Sequence, residues 1–254
     1  MICEAGAGLS IIAAVGLDFE AAAARGPGVD VAIGLNRKIY IKTLREKAAN
    51  GSLGIISFGI AGGLSPGLKP GDTVIATSVM TSRGTYDTCP VWFAALSAAL
   101  PKARPLPVYG SERPLLTVSD KRAFWLETGA AIVDMESRDA ALVAAEHGLP
   151  LAVLRVVLDS AHRSIPPSAL AGVNEQGKTR TRDVIKALAK RPQDLQALIR
   201  LGIDAQRAIY SLLCCRAALG PGFSFARGED RAAARSTIQQ VRHITEQSPN
   251  LTVL

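Results

Sequence analysis

Apolar and polar positions fall in blocks along this chain, and the blocks have the lengths of buried strands and amphipathic helices. Ser10 to Val15 is a short apolar run. The sequence then turns at Gly16 into GLDFEAAAARG, an alanine-rich helix closed by Gly26-Pro27-Gly28. Val29 to Leu35 reads as a second strand. Asn36 is positioned to cap the helix in NRKIYIKTLREKAAN, which stops at Gly51. Ile55-Ile56-Ser57-Phe58 is long enough for a strand buried on both faces, and it is expected to break at Gly59, Gly62 and Gly63. Lys69-Pro70-Gly71-Asp72 has Pro and Gly in type II order and leads into a β-branched run, Thr73 to Thr77.

Farther on, Val91 to Leu100 reads as a helix stopped by Pro101. Leu106 to Tyr109 and Leu115 to Val118 are strand candidates, and Asp120 is placed to cap a helix through Glu127. The stretch AIVDMESRDAALVAAEHGLPLAVLRVVLDS reads as a βαβ unit. Its strand Ala130 to Val133 meets a polar elbow at Asp134-Met135-Glu136, a helix runs to His147, and a strand follows from Leu151 to Val157. Arg182 to Lys190 and Asp194 to Leu219 are amphipathic helices broken at Pro192. The expected fold is α/β: a mixed central β-sheet flanked by α-helices, with a helical C-terminal extension. Residues 1–219 form the expected domain, and 220–254 a polar appendage, in part disordered.

Composition narrows the function classes. At 254 residues and 48% hydrophobic, the chain can bury one sizeable core. No apolar stretch approaches the roughly 20 residues of a membrane span, and no basic-then-apolar leader opens the sequence. The four cysteines include an adjacent pair and show no metal-ligand spacing. These features suggest a reduced, cytoplasmic protein without a metal. The net charge of +7 is compatible with an anionic membrane surface or a phosphate-bearing substrate, but aromatics at 5% leave few stacking platforms for nucleic acid.

Candidate chemistry gathers where strands end, which is where open α/β sheets bind ligands. Glu20 follows the first strand, Glu136 sits at the elbow, and Asp159 follows the last strand. Each alone has a plain structural reading, since acids in first helical turns complement the helix dipole. Their convergence on one sheet edge, beside the Gly59–Gly63 floor, is the functional reading. The histidines add little: His147 suits a helix C-terminus and His162 a loop.

Taken together, GIAGGLSPGLKPGDTVIA, VDMES and LRVVLDSA, in this order and at these distances, resemble the nucleoside phosphorylase and nucleosidase superfamily. GLDFEA, LDSAHRSIPP and LIRLGIDAQRAIYSLL are similar to its hopanoid-biosynthesis-associated branch, whose members are thought to remove adenine from adenosylhopane. The resemblance implies roles. Asp159 would be the general acid at the leaving purine and Glu20 the base that activates water. Glu136 would hold the ribose hydroxyls, with Met135 against the sugar and Gly59, Ala61 and Gly62 as the floor. It also implies self-association and an adenosine-bearing small-molecule or lipid substrate, with no cofactor beyond inorganic phosphate as an optional co-substrate.

Departures leave the acceptor open. Phosphate-using relatives carry an arginine before the floor and a serine within it, where this chain has Ser57 and Ile60. Lys69 and Arg83 are the substitutes in sequence, although both suit plain surface charge. Phe124 and Trp125 could cover the base or sit in the core. A methylthioadenosine/S-adenosylhomocysteine nucleosidase and a non-catalytic nucleoside-binding or membrane-docking module are the rival readings. A peripheral contact with the inner membrane goes with the lipid substrate.

Overall fold

The computed structural model describes residues 10–34, 36–170 and 181–225. Its strands are β1 (Ile11–Val15), β2 (Val29–Ile33), β3 (Gly54–Gly63), β4 (Thr73–Thr81), β5 (Gly84–Asp87), β6 (Arg104–Gly110), β7 (Ile132–Asp134) and β8 (Leu151–Asp159). Its helices are α1 (Asp18–Ala24), α2 (Arg37–Ala49), α3 (Pro90–Ala99), α4 (Val118–Thr128), α5 (Ser137–Glu146), α6 (Pro167–Leu170), α7 (Thr181–Lys190) and α8 (Leu195–Leu219). The mixed sheet flanked by helices agrees with the expected fold class.

The sheet is organised on β3. Its first half lies parallel to both β1 and β8, and its last two residues pair antiparallel with β7. β8 also pairs with β4, β4 with β6, and β6 with β7, so the pairings from β3 around to β7 close into a ring. Two apolar layers cover the sheet. Ile12, Ala14 and Ile55 face Tyr40 and Leu44 of α2 and Ala140 and Val143 of α5. Ile11, Ile56 and Phe58 point the other way, toward α1, Trp92 of α3 and Leu212 of α8. Alternation along β1 and β3 feeds both layers, so both strands read as continuous apolar runs.

Several local expectations are corrected. β3 does not break at Gly59 but continues to Gly63, because β8 supplies partners along the glycine stretch. The Lys69–Asp72 turn forms, with the Asp72 N–H donating to the Lys69 carbonyl at 3.0 Å. β4 outruns its expected end and folds back on β5, a strand missing from the sequence reading. Leu115 to Val118 is not a strand: the Leu116 carbonyl accepts from the Ile165 N–H of a loop, and Val118 already opens α4. Thr117, not Asp120, caps that helix, its hydroxyl accepting from the Asp120 N–H at 3.1 Å. Asn36 caps α2 as expected. The order β7–α5–β8 is present, but β7 runs antiparallel to β3 and β8 parallel to it, so the two strands are not a parallel pair.

Packing continues beyond Leu219. Phe223 is fully buried, meets Phe58 edge-on with ring centroids 4.9 Å apart and lies under the Arg216 guanidinium. Its carbonyl accepts from Trp92 Nε1 at 2.8 Å. Residues 226–254, the rest of the expected appendage, lie outside the described residues. Phe223→Ala should cost about 3–5 kcal/mol of unfolding free energy in a urea titration. A loss below about 1 kcal/mol would show that this turn merely rests on the surface.

Candidate active site

One cavity of about 270 Å³ opens where β3, the β7 elbow and β8 end together. Glu20, Ala61, Gly62, Met135, Glu136 and Asp159 all line it. The seventh expected site residue, Gly59, does not. It lies against the Glu20 carboxylate, where an added Cβ would come within 2.3 Å of Oε1. Gly16 plays the same part for Glu136, since a Cβ there would come within 2.6 Å of its Oε1. Both glycines make room for a carboxylate at the backbone.

Glu20 is locked in place. Its Oε2 accepts from the N–H groups of Gly16 at 2.7 Å and Leu17 at 2.9 Å, and its Oε1 from that of Ile60 at 2.7 Å. Burial raises its pKa, while Arg155 and these three N–H groups oppose the rise. Glu136 is pushed up to about 7, first by burial and then by the neighbouring Asp134 and Glu20 charges, against the pull of Arg155. Asp134, beside it, accepts from the Ser137 N–H at 2.7 Å and from the Ser137 hydroxyl at 2.5 Å.

Arg155 lies beneath this group, fully buried in the middle of β8 and opposite Gly59 in the pairing register. Its Nε is 2.9 Å from Asp134 Oδ2, close enough to pair charges though off the line of a hydrogen bond. Its Nη2 is 3.3 Å from Glu136 Oε2 and donates to the Ser57 hydroxyl at 2.5 Å. Ser57 is thus sealed in the core and cannot serve a ligand. Lys69 and Arg83 stand away from the cavity. Arg113 is the one cation among its described lining residues.

At the other end, a bulge between Ala61 and Gly62 in the β3–β8 ladder brings Asp159 opposite Gly62. Asp159 is nearly buried, and it accepts from Nζ of Lys121, itself fully buried on α4. The same Nζ donates to the carbonyls of Arg163 at 2.9 Å and Ser160 at 3.2 Å. Burial raises the Asp159 pKa and Lys121 opposes the rise. His162 belongs to a second cavity of about 250 Å³ that shares Asp159. Phe124 and Trp125 pack against Leu64 and Val133 and do not line the main cavity.

Sequence reasoning missed Arg155 and Lys121. A lone charge inside LAVLRVVLD was a usable signal, because a strand buried on both faces excludes an unpaired charge. Lys121 gave none, since α4 carries no apolar stripe to show which side faces inward.

The family model described as the phosphorylase superfamily matches residues 36–199. That is well over half of the chain, and the chain belongs to this superfamily. No curated protein matches it in sequence. Among solved structures, the futalosine hydrolase of Helicobacter pylori is similar with a TM-score of 0.57 at 15% identity, over 82% of this chain and 97% of that one. The 5'-methylthioadenosine/S-adenosylhomocysteine nucleosidase of Helicobacter pylori is similar with a TM-score of 0.56 at 16% identity, over 82% and 98%. The corresponding nucleosidase of Colwellia psychrerythraea, in complex with adenine, gives 0.55 at 14%, over 82% and 95%. At these identities the likeness is one of fold.

The cavity's charge balance has a pH consequence. A carboxyl whose pKa is raised on folding holds its proton in the folded chain after the unfolded chain has lost it. Stability therefore falls as pH rises from about 4.5 to about 7. Glu136→Gln should flatten that slope in urea titrations across the window. An unchanged slope would contradict the assigned environment.

Proposed function

We propose that this member of the phosphorylase superfamily hydrolyses the purine N-glycosidic bond of an adenosine-bearing substrate, with water as the acceptor. The observation that carries the reading is the meeting of Glu20, Glu136 and Asp159, from separate elements, around one cavity. The solved neighbours, a futalosine hydrolase and nucleosidases, favour the same reaction class.

In this reading the sugar anomeric carbon develops oxocarbenium character between the two ends of the cavity. Glu20 takes a proton from water as the water oxygen bonds to that carbon, and the carbon–nitrogen bond to the purine breaks. Asp159 gives its proton to the imidazole-ring nitrogen of the departing base. Glu136 accepts the ribose hydroxyls, and its charge stabilises the electron-poor sugar. Lys121 is a positioning residue: it fixes the Asp159 carboxyl, and its ammonium can replace the proton that Asp159 delivers.

Water rather than phosphate fits the charge. Among the described lining residues the carboxyls Glu20, Asp134, Glu136 and Asp159 outnumber the cations, with Arg155 committed to Asp134 and Glu136 underneath and Lys121 to Asp159. Arg113 is a sparse cation set for a phosphate dianion. The sequence resemblance makes adenosylhopane the substrate of choice.

Asp159→Asn and Glu20→Gln should each keep the far-ultraviolet dichroism of the native fold and lower adenine release by about 10²–10⁴-fold. Near-native turnover in either would sink the mechanism. Adenosylhopane should be cleaved in preference to methylthioadenosine, and the reverse preference would make the chain an ordinary nucleosidase. Lys121→Met should move the alkaline limb of the pH–rate profile upward, because Asp159 loses the cation that holds its pKa down. A profile that stays in place would remove Lys121 from the account.

A further inference from the structure

Helix α8 carries apolar side chains on opposite faces. Ala208, Leu212, Cys215 and Leu219 pack into the core. Leu195, Ile199, Ile203, Tyr210 and Leu213 are exposed, Ile199 at 56% and Tyr210 at 71%. At about 100° per residue, these five fall within about 80° around the helix axis. The stripe therefore runs its length, turned away from the chain's own core.

The charges beside the stripe have one sign. Between Val184 and Leu219 the acids are Asp194 and Asp204, and both are buried. Asp194 accepts from the Ser168 hydroxyl and Asp204 from Arg163. Lys186, Lys190, Arg191, Arg200 and Arg207 are all exposed, and of these Arg191 and Arg207 reach back to Asp194 at 3.4 Å and Asp204 at 3.6 Å. An apolar stripe fringed by cations, with Asp194 and Asp204 both buried, is complementary to an anionic lipid surface. A self-complementary subunit interface would set this uniform charge against itself.

The position of the stripe adds to this. Ala197, Arg200 and Leu201 of α8 line the second cavity, which reaches Asp159. At about 100° per residue, Ala197 and Leu201 lie more than 100° around the axis from the stripe, so the stripe is not explained as part of that cavity's wall.

We propose that the exposed face of α8 is a docking surface for an anionic phospholipid bilayer. The docking does not depend on the lipid substrate proposed above.

Co-sedimentation of the full chain at physiological salt tests it, using vesicles of phosphatidylcholine alone and of phosphatidylcholine with phosphatidylglycerol. The wild type should bind the mixed vesicles and leave the neutral ones. Lys190→Glu with Arg207→Glu, and separately Tyr210→Asn with Leu213→Asn, should each lower binding about tenfold or more. Both variants should cleave methylthioadenosine as the wild type does and keep its sedimentation coefficient without lipid. Failure of the wild type to bind mixed vesicles overturns the docking. A fall in oligomeric state of the Tyr210/Leu213 variant overturns it in favour of a second copy on the stripe. Adenine release is read separately, so loss of turnover with binding intact would fault the proposed reaction and not the docking.

Discussion

The arrangement depends on one buried cation. Arg155 places a full positive charge in the middle of β8, between apolar neighbours on both sides, and no part of it reaches solvent. Such a charge is expensive to bury and stable only when paired and hydrogen-bonded. Asp134, Glu136 and the Ser57 hydroxyl provide that, and Glu20 lies within its field. In return, the guanidinium allows three carboxyls to share one small space. Without it their mutual repulsion and desolvation would drive protons onto them or force them apart. The long path of β3 follows the same constraint: Gly59 sits opposite Arg155 and leaves room for the carboxylate of Glu20.

Asp159 has a different environment from the others. Its partner is Lys121 from α4, and the bulge in the β3–β8 ladder turns it toward the cavity at the far side of Gly62. The cavity thus has one end where carboxyls cluster over an arginine and another where a single carboxyl meets a lysine. Different environments for carboxyls in one site are how a protein separates acid from base. In the proposed reaction, that separation runs along the bond to be broken.

Much of this was legible from local pattern. The apolar runs of β1 and β8, the Asn36 cap and the Pro–Gly turn each follow from residues adjacent in sequence. Glu20, Glu136 and Asp159 stood out because strand ends are where such folds gather ligands. What was not legible is nonlocal. β5 is Gly-Thr-Tyr-Asp, without an apolar run, and it forms a strand by pairing with β4 as that strand folds back. The opposite directions of β7 and β8 depend on how each meets β3. Lys121 pairs with a residue 38 positions away, on a helix without a stripe. Arg155 was in plain view as a charge inside an apolar run, but its meaning needed the carboxyls it serves.

The central claim is that this carboxylate-lined cavity breaks a purine glycosidic bond with water. The most direct measurement is turnover of an adenosine-bearing substrate in heavy-oxygen water with inorganic phosphate present, followed by mass spectrometry of the sugar product. The account predicts a free sugar carrying the heavy oxygen at its anomeric position, whatever the phosphate concentration. A sugar phosphate, or no heavy oxygen in the sugar, would contradict it.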